Sequence, residues 1–345
     1  IVLDEAQNIK NPRAQMTQNI KQLVSRQRLC LSGTPIENHL GELWSLFDFL
    51  MPGFLGTLNK FSKEYRKPIE QLRDRETQNR LHSKIHPFVL RRKKEEVAKE
   101  LPKKTEIIKH ISLENEQRVL YEAIRASMED KVRNILKIKG LAKSHLECLD
   151  ALLKLRQICC APQLLDLEST QQIEQSAKLE YLIDVVPEML EEGRKILIFS
   201  QFAKMLHIIS GKLTELGIEH SKLTGETRDR QTQIDAFQNG EVSVFLISLK
   251  AGGTGLNLTA ADTVIHYDPW WNPAAEAQAS DRAYRIGQKK PVFVYKLICE
   301  NTIEEKVLLM QENKKHLNQS MFAKEQVDSV KDLTADGLLE LFKTA

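Results

Sequence analysis

Lys195-Ile196-Leu197-Ile198-Phe199-Ser200-Gln201-Phe202 decides the fold. Its run of β-branched, aliphatic and aromatic side chains carries no polar alternation. Such a run reads as a strand buried on both faces, the kind found inside parallel sheets. Downstream, a helix is expected over Ala203 to Gly217, closed by its glycine, and a strand over His220 to Thr224. A helix over Arg228 to Gln238, a strand over Val242 to Ser248 and a strand over Thr263 to Tyr267 follow. The series ends with a helix over Pro273 to Arg285, a strand over Pro291 to Ile298 and a closing helix over 302–319. Short apolar strands alternating with helices imply an α/β lobe: one parallel sheet with helices on both faces.

Upstream, Ile1-Val2-Leu3 reads as the tail of a buried strand, and Leu29-Cys30-Leu31 as a short strand running into a turn. Leu43, Leu46, Phe47 and Leu50 place a helix over Leu40 to Leu50, stopped by Pro52-Gly53. Residues 54–100 read as polar helix, Lys104 to Leu113 as a loose strand, and 114–190 as a helical insertion. Gly337 to Phe342 is a weak amphipathic stretch, and no solenoid-period repeat occurs. The expected layout is a remnant of a first lobe over 1–53 and a helical protrusion with linker over 54–103. The second lobe begins with a helical protrusion over 104–190 and continues over 191–310, followed by a tail over 311–345. A domain does not start in the middle of a core strand, so the expectation is a truncated first lobe.

The 345 residues, 41% hydrophobic, are enough for two lobes with cores of their own. Fifty basic side chains against 47 acidic leave a net charge of only +3, so any nucleic-acid surface is local. The densest basic stretch is 91–110, with eight basic and four acidic residues; a solvated helix explains most of it. The five cysteines show neither C-x-x-C nor zinc spacing with histidine, which fits reduced, buried thiols. No apolar run reaches the ~18 residues of a membrane span, so no membrane partner is expected.

Asp4-Glu5-Ala6-Gln7 follows a strand, and doubly wound sheets bind ligands at carboxyl ends of strands. Phosphoryl transfer from a nucleotide needs one carboxylate for Mg²⁺, directly or through water, and a second to orient the attacking water. Asp4 suits the first role and Glu5 the second; a solvated Asp-Glu turn is the plainer alternative. Ser32-Gly33-Thr34-Pro35 is a hinge with two hydroxyls, one of which can bond Gln7 or Glu5; a capping turn is the alternative. Gln278, Arg282 and Arg285 share one face of the expected helix, where two guanidiniums can reach a phosphate tail, unless they are simply a solvated basic edge. Lys250-Ala251-Gly252-Gly253-Thr254-Gly255 follows a strand and exposes backbone amides, or is a plain loop. No G-x-x-x-x-G-K-[ST] phosphate loop occurs among the 345 residues. Trp270 and Trp271 precede a helix; burial is the commoner fate of such a pair, base stacking the other.

In their order these blocks resemble the Snf-two family, the Swi/Snf-type branch of helicase superfamily two. Asp4 to Gln7 with Ile9-Lys10-Asn11 resembles motif II, and Leu31 to Asn38 with Glu42-Leu43-Trp44 resembles motif III. Phe88 to Arg92 with Leu101-Pro102 is similar to the inter-lobe linker, and Leu155 to Cys159 to a family helix. Ile198 to Phe202 resembles motif IV, Ala251 to Leu258 motif V, and Trp271-Asn272-Pro273 with Gln278 to Gln288 motif VI. The resemblance implies RecA-like lobes, ATP with Mg²⁺ as cofactors, and double-stranded DNA as partner. A DNA-bound protein is the further target, and the protein is expected to be a monomer. By it, Asp4 and Glu5 act on metal and water, and Gln278, Arg282 and Arg285 on the transferred phosphate, with Arg282 and Arg285 as arginine fingers. Gly253, Gly255 and Asp281 lie on the nucleotide side. Gln7, Ser32, Gly33 and Thr34 couple hydrolysis to movement. Ser200, Gln201, Lys250, Thr254 and Trp271 lie near DNA. Gln7 and Tyr284 stand where many members carry histidine, which implies tuning rather than loss. Motif I is expected upstream of Ile1, which makes the chain on its own an inactive fragment. Asp-Glu-Ala-Gln and compact insertions suggest a bacterial or archaeal source and a location in the cytoplasm at the nucleoid, with the nucleus as the alternative for a eukaryotic source.

Overall fold

The structure, a computed structural model, describes residues 1–36, 39–92, 94–139, 145–165, 170, 173, 175–251, 255–322, 341 and 342. The chain divides into two compact units: Ile1–Arg92 with Gln311–Asp332, and Lys93–Met310 with Leu333–Ala345.

In the first unit, β1 (Val2–Leu3) pairs in parallel with β2 (Leu29–Cys30), in the register Val2 to Leu29 and Leu3 to Cys30. Helix α1 (Gln15–Lys21) connects them. Helix α2 (Leu40–Leu50) has the bounds that its apolar spacing predicts. One side of it packs Leu46 and Phe49 against Ala6 and Ile9. Its other side packs Leu43, Trp44 and Phe47 against Phe61, Tyr65, Ile69, Leu81 and Ile85. Those partners come from the helical protrusion, in which α3 (Leu58–Phe61), α4 (Lys67–Glu70) and α5 (Arg75–Ile85) follow one another.

The second unit begins with a short helix, α6 (Lys94–Val97). It is built on a six-stranded, wholly parallel sheet of order β3-β8-β7-β4-β6-β5. The strands are β3 (Lys104–Ile111), β4 (Ile196–Ser200), β5 (His220–Leu223), β6 (Val244–Ser248), β7 (Thr263–His266) and β8 (Val292–Cys299). Every residue of β4, β6 and β7 is buried, which is why these strands are unbroken apolar runs in sequence. Alternate side chains feed two cores. On one face Ile196, Ile198, Leu246 and Ile265 meet α9 (Ala177–Glu191) and α10 (Ala203–Glu215). On the other face Leu197, Phe199, Phe245, Ile247 and Val264 meet Phe237 of α11 (Arg230–Asn239) and Ala279 of α12 (Pro273–Ser280).

The insertion consists of α7 (Asn115–Lys139) and α8 (His145–Cys160), which share a third core with Ile303 and Val307 of α13 (Ile303–Phe322). Helix α9 belongs to the sheet and not to the protrusion, since Leu182 and Val186 pack on the strands. Residues 94–103, the end of the stretch expected to hold protrusion and linker, fall in the second unit, where Leu101 packs on the sheet core.

Candidate nucleotide and nucleic-acid sites

Asp4 and Glu5 sit just past β1, at the carboxyl end of the two-stranded sheet. Glu5 has φ 49° and ψ 49°, a left-handed conformation that costs a side-chain-bearing residue about 1 kcal/mol. The turn is held by Ala6 N–H donating to Leu31 O at 2.9 Å and by the burial of Ala6 and Ile9. Gln7 Nε2 donates to Glu5 Oε2 at 2.5 Å, and Ser32 Oγ donates to Gln7 Oε1 at 2.7 Å. Ser32 Oγ in turn accepts from Thr34 N–H at 3.1 Å. The hinge hydroxyl therefore bonds Gln7, one of the two partners expected of it. Gly33 is exposed, and its missing Cβ would meet nothing within 4 Å.

Asp4 is exposed, and its Oδ1 accepts from Glu5 N–H at 2.9 Å. Two adjacent carboxylates, one exposed, form a hard-oxygen donor set that fits Mg²⁺. Asp4 and Glu5 are the residues that would hold the ion, directly or through water.

In the second unit the arginine block departs from expectation. Helix α12 ends at Ser280, so Arg282 and Arg285 do not share a helical face with Gln278. The turn that follows is held by tertiary bonds. Arg282 O accepts from Leu258 N–H at 3.1 Å, and Ala283 O accepts from Gln288 Nε2 at 3.1 Å. Along the backbone, Arg282 and Ala283 N–H bond three residues back, to Ala279 O and Ser280 O at 3.2 and 3.1 Å, and Arg285 N–H bonds Ala283 O, which departs from the four-residue spacing of an α-helix. Arg282 is buried, with Nη1 3.5 Å from Leu256 O, while Arg285 is exposed. Gln278 lies half-buried in the last turn of α12. Asp281 pairs with Lys94 at 2.6 Å, and Lys94 also donates to Tyr284 O at 3.2 Å. Its carboxylate thus ties α6 to this turn.

Gln288, at the end of the motif VI block, is an anchor whose role its sequence position does not reveal. Its Nε2 reaches Ala261 O at 2.6 Å and Thr259 O at 3.1 Å, and its Oε1 accepts from Lys289 and Lys290 N–H at 2.9 Å each. It fastens the loop after β6 to the arginine turn. In that loop Lys250 is exposed, and Gly255 is exposed with φ 56°. Gly253 and Thr254 lie outside the described residues.

The DNA-side set also changes. Ser200 is fully buried and its hydroxyl donates to Asp268 Oδ1, so it cannot touch DNA. Gln201 stays half-exposed; its N–H donates to Asp268 and its Oε1 accepts from Arg156 Nη1 at 3.1 Å. Trp271 is half-buried against the insertion core, with the Arg156 guanidinium 5.5 Å from its ring centre, as the packing alternative would have it. Burial pushes the Asp268 carboxyl up to about 6, against the opposing pull of Arg156 and Ser200. Arg156 was detectable in sequence. It stands with Leu152, Leu155 and Cys159 on the apolar face of α8, where a charged residue has to be partnered.

The profile of the SNF2-related domain matches residues 1–164, and that of the helicase conserved C-terminal domain matches residues 177–287. A Sulfolobus solfataricus SWI2/SNF2 ATPase core, solved in complex with dsDNA, is 37% identical. The match covers 99% of this chain and 70% of that one, at a TM-score of 0.54. The chain belongs to the SWI2/SNF2 family. YwqA of Bacillus subtilis is 43% identical over 349 residues, covering 99% of this SWI2/SNF2 chain and 37% of YwqA. A Mycoplasma pneumoniae protein named as an uncharacterized ATP-dependent helicase is 40% identical over 347 residues, covering 99% of this chain and 32% of that protein. The chain thus spans about a third of the length of the curated SWI2/SNF2 relatives it matches.

Proposed function

We propose that this chain supplies part of an ATP-driven motor that moves on double-stranded DNA. The observation that carries the reading is the relay from Glu5 through Gln7 to Ser32 at the carboxyl end of β1. It joins a carboxylate suited to orienting water to the hinge after β2, which is what coupling hydrolysis to movement requires. ATP and Mg²⁺ are the cofactors. When bound, Mg²⁺ neutralises charge on the phosphates; Asp4 would hold it. Glu5 orients the attacking water and is itself oriented by Gln7. Arg282 and Arg285, on the turn after α12, are the cationic groups for the developing phosphate charge, as arginine fingers, with Gln278 beside them. DNA contact falls to Gln201, Lys250 and Thr254, and the solved complex of a relative with dsDNA supports that partner. A DNA-bound protein is the target that such movement would displace.

Phosphoryl transfer also uses a phosphate-cradling loop and its lysine, and no such motif occurs among these 345 residues. The chain by itself is therefore expected to bind duplex DNA weakly and salt-sensitively, without turnover.

The test measures ATPase of the longest natural form of the protein with and without duplex DNA, beside its Glu5→Gln and Arg282→Ala variants. Duplex stimulation that both variants abolish supports the proposal. Wild-type turnover indifferent to DNA, or variants with unchanged turnover, would overturn it. Separation of the strands of a blunt RNA duplex would point instead to an unwinding helicase.

A further inference from the structure

Arg156 is 1% exposed, and it lies on the insertion helix α8 rather than in any of the blocks to which chemistry is assigned above. Its guanidinium is surrounded by three aromatic rings: 5.8 Å from Phe202, 5.5 Å from Trp270 and 5.5 Å from Trp271. In the plane of the fork, Nη1 donates to Gln201 Oε1 at 3.1 Å and Nη2 donates to Pro269 O. Nη2 also lies 3.5 Å from Asp268 Oδ2. A planar cation that lies over aromatic rings and donates from its edges is work for arginine, not lysine.

The partners come from two loops. Gln201 and Phe202 follow β4, and Asp268 to Trp271 follow β7, so both loops leave the same end of the sheet. Asp268 binds the first loop as well, through Ser200 Oγ and Gln201 N–H. The second loop is joined by hydrogen bonds to the helix that leads to the arginine block. Trp270 N–H donates to Glu276 Oε1 at 2.6 Å, Asn272 caps α12, and α12 ends at the turn that carries Arg282. Glu276 is itself fixed by a buried pair with Lys296 at 2.9 Å. A continuous set of contacts therefore runs from the insertion helix, past Gln201, to the arginine turn.

We infer that Arg156 is a positioning residue that locks the loops after β4 and β7 to the insertion helix, so that DNA contact at Gln201 is transmitted to the Arg282 turn. The inference rests on the translocase reading above and adds to it the element that joins its DNA side to its ATP side. Arg156 touches neither ligand. Its removal should act on coupling, the ratio of DNA-stimulated to basal turnover.

The test uses the longest natural form of the protein. Arg156→Lys keeps the charge and loses the stacking and the fork. It should lower the ratio of duplex-stimulated to basal ATPase about tenfold, within the usual range of coupling between sites. Trp270→Phe, which keeps a ring over the guanidinium, should retain most of the ratio, and Trp270→Leu should lose it. The Trp270 pair also decides the matter should Arg156→Lys fail to fold. A second measurement is independent of ATP. In the 345-residue chain carrying Trp44→Phe, the remaining tryptophans are Trp270 and Trp271. Their emission should shift to the red and become more open to iodide quenching when Arg156→Lys is added. A normal ratio in folded Arg156→Lys, or equal ratios in Trp270→Phe and Trp270→Leu, would overturn the inference while leaving the translocase reading intact. Wild-type protein without DNA stimulation would overturn the translocase reading and the inference with it.

Discussion

Ser32 donates its hydroxyl to Gln7 Oε1 at 2.7 Å, joining the loop after β2 to the turn that carries Glu5. Both side chains are half-buried, so the bond is partly shielded from water. Ser32→Ala removes the donor and leaves Gln7 with its bond to Glu5 alone among these partners. The expected loss of stability is about 1 kcal/mol, as for one neutral hydrogen bond. In the longest natural form, kcat should fall with the KM for ATP unchanged, because Ser32 acts through Gln7 rather than on the nucleotide. A raised KM with normal kcat would place Ser32 in nucleotide binding instead.

Gln288 offers a sharper stability test. Its amide nitrogen serves the carbonyls of Thr259, Ala261 and Ala283, and its oxygen serves two backbone N–H groups. Gln288→Glu has the same shape but turns a donor into an acceptor against three carbonyl oxygens. The expected cost is about 3 kcal/mol, the range for buried polar groups left unsatisfied. Urea denaturation measures it, and hydrogen exchange should rise at 258–261 and 282–285 before it rises in β4.

These two anchors show what sequence makes legible. Strands β4, β6 and β7 are buried on both faces, so their pattern is carried by the residues themselves and reads without a structure. Asp4 and Glu5 follow a strand as Ile1-Val2-Leu3 predicts, but Val2 is exposed, so β1 is not the buried strand that its apolar run suggests. The end of α12 was not readable, because Ala279, Ala283 and their neighbours are acceptable in a helix to Arg285. The chain instead tightens there, with Arg282 and Ala283 N–H reaching only three residues back, and local propensity contains no record of that. Ser200 looks available to DNA from its place at a strand end, and only the partner loop holding Asp268 shows that its hydroxyl is already used.

Lys178 and Glu304 form a fully buried pair at 2.6 Å, with Lys178 Nζ also donating to Tyr267 O and Glu304 Oε2 accepting from Cys299 N–H. Burial works against the ammonium, and the Glu304 carboxylate overrides it, holding the Lys178 pKa above the usual lysine value. Lys178→Met strands a carboxylate in the core and should cost about 3–5 kcal/mol. The double variant Lys178→Met/Glu304→Leu removes both charges and should be more stable than either single variant. A double variant whose loss equals the sum of the singles would contradict this account of the pair.

His266 stacks on Phe199 and meets Ser280 Oγ through Nε2 at 2.8 Å. Burial lowers its pKa from the ordinary 6.5 to about 4; Glu276 opposes the shift and Lys296 adds to it. Between those values the unfolded chain holds the proton and the folded chain does not. The contribution to stability is therefore present above pH 6.5 and is lost as pH falls toward 4. Over that whole window it amounts to about 3 kcal/mol. Asp268 works in the opposite sense: its folded form keeps a proton up to about 6, so its term favours folding on acidification and masks part of the histidine effect. The clean quantity is the difference between His266→Gln, which has no imidazole to titrate, and wild type. Urea denaturation at pH 7 and pH 5 should show the variant gaining on wild type as pH falls, by roughly 2 kcal/mol over that interval. A difference independent of pH would mean that His266 titrates normally and that its burial exerts no such penalty.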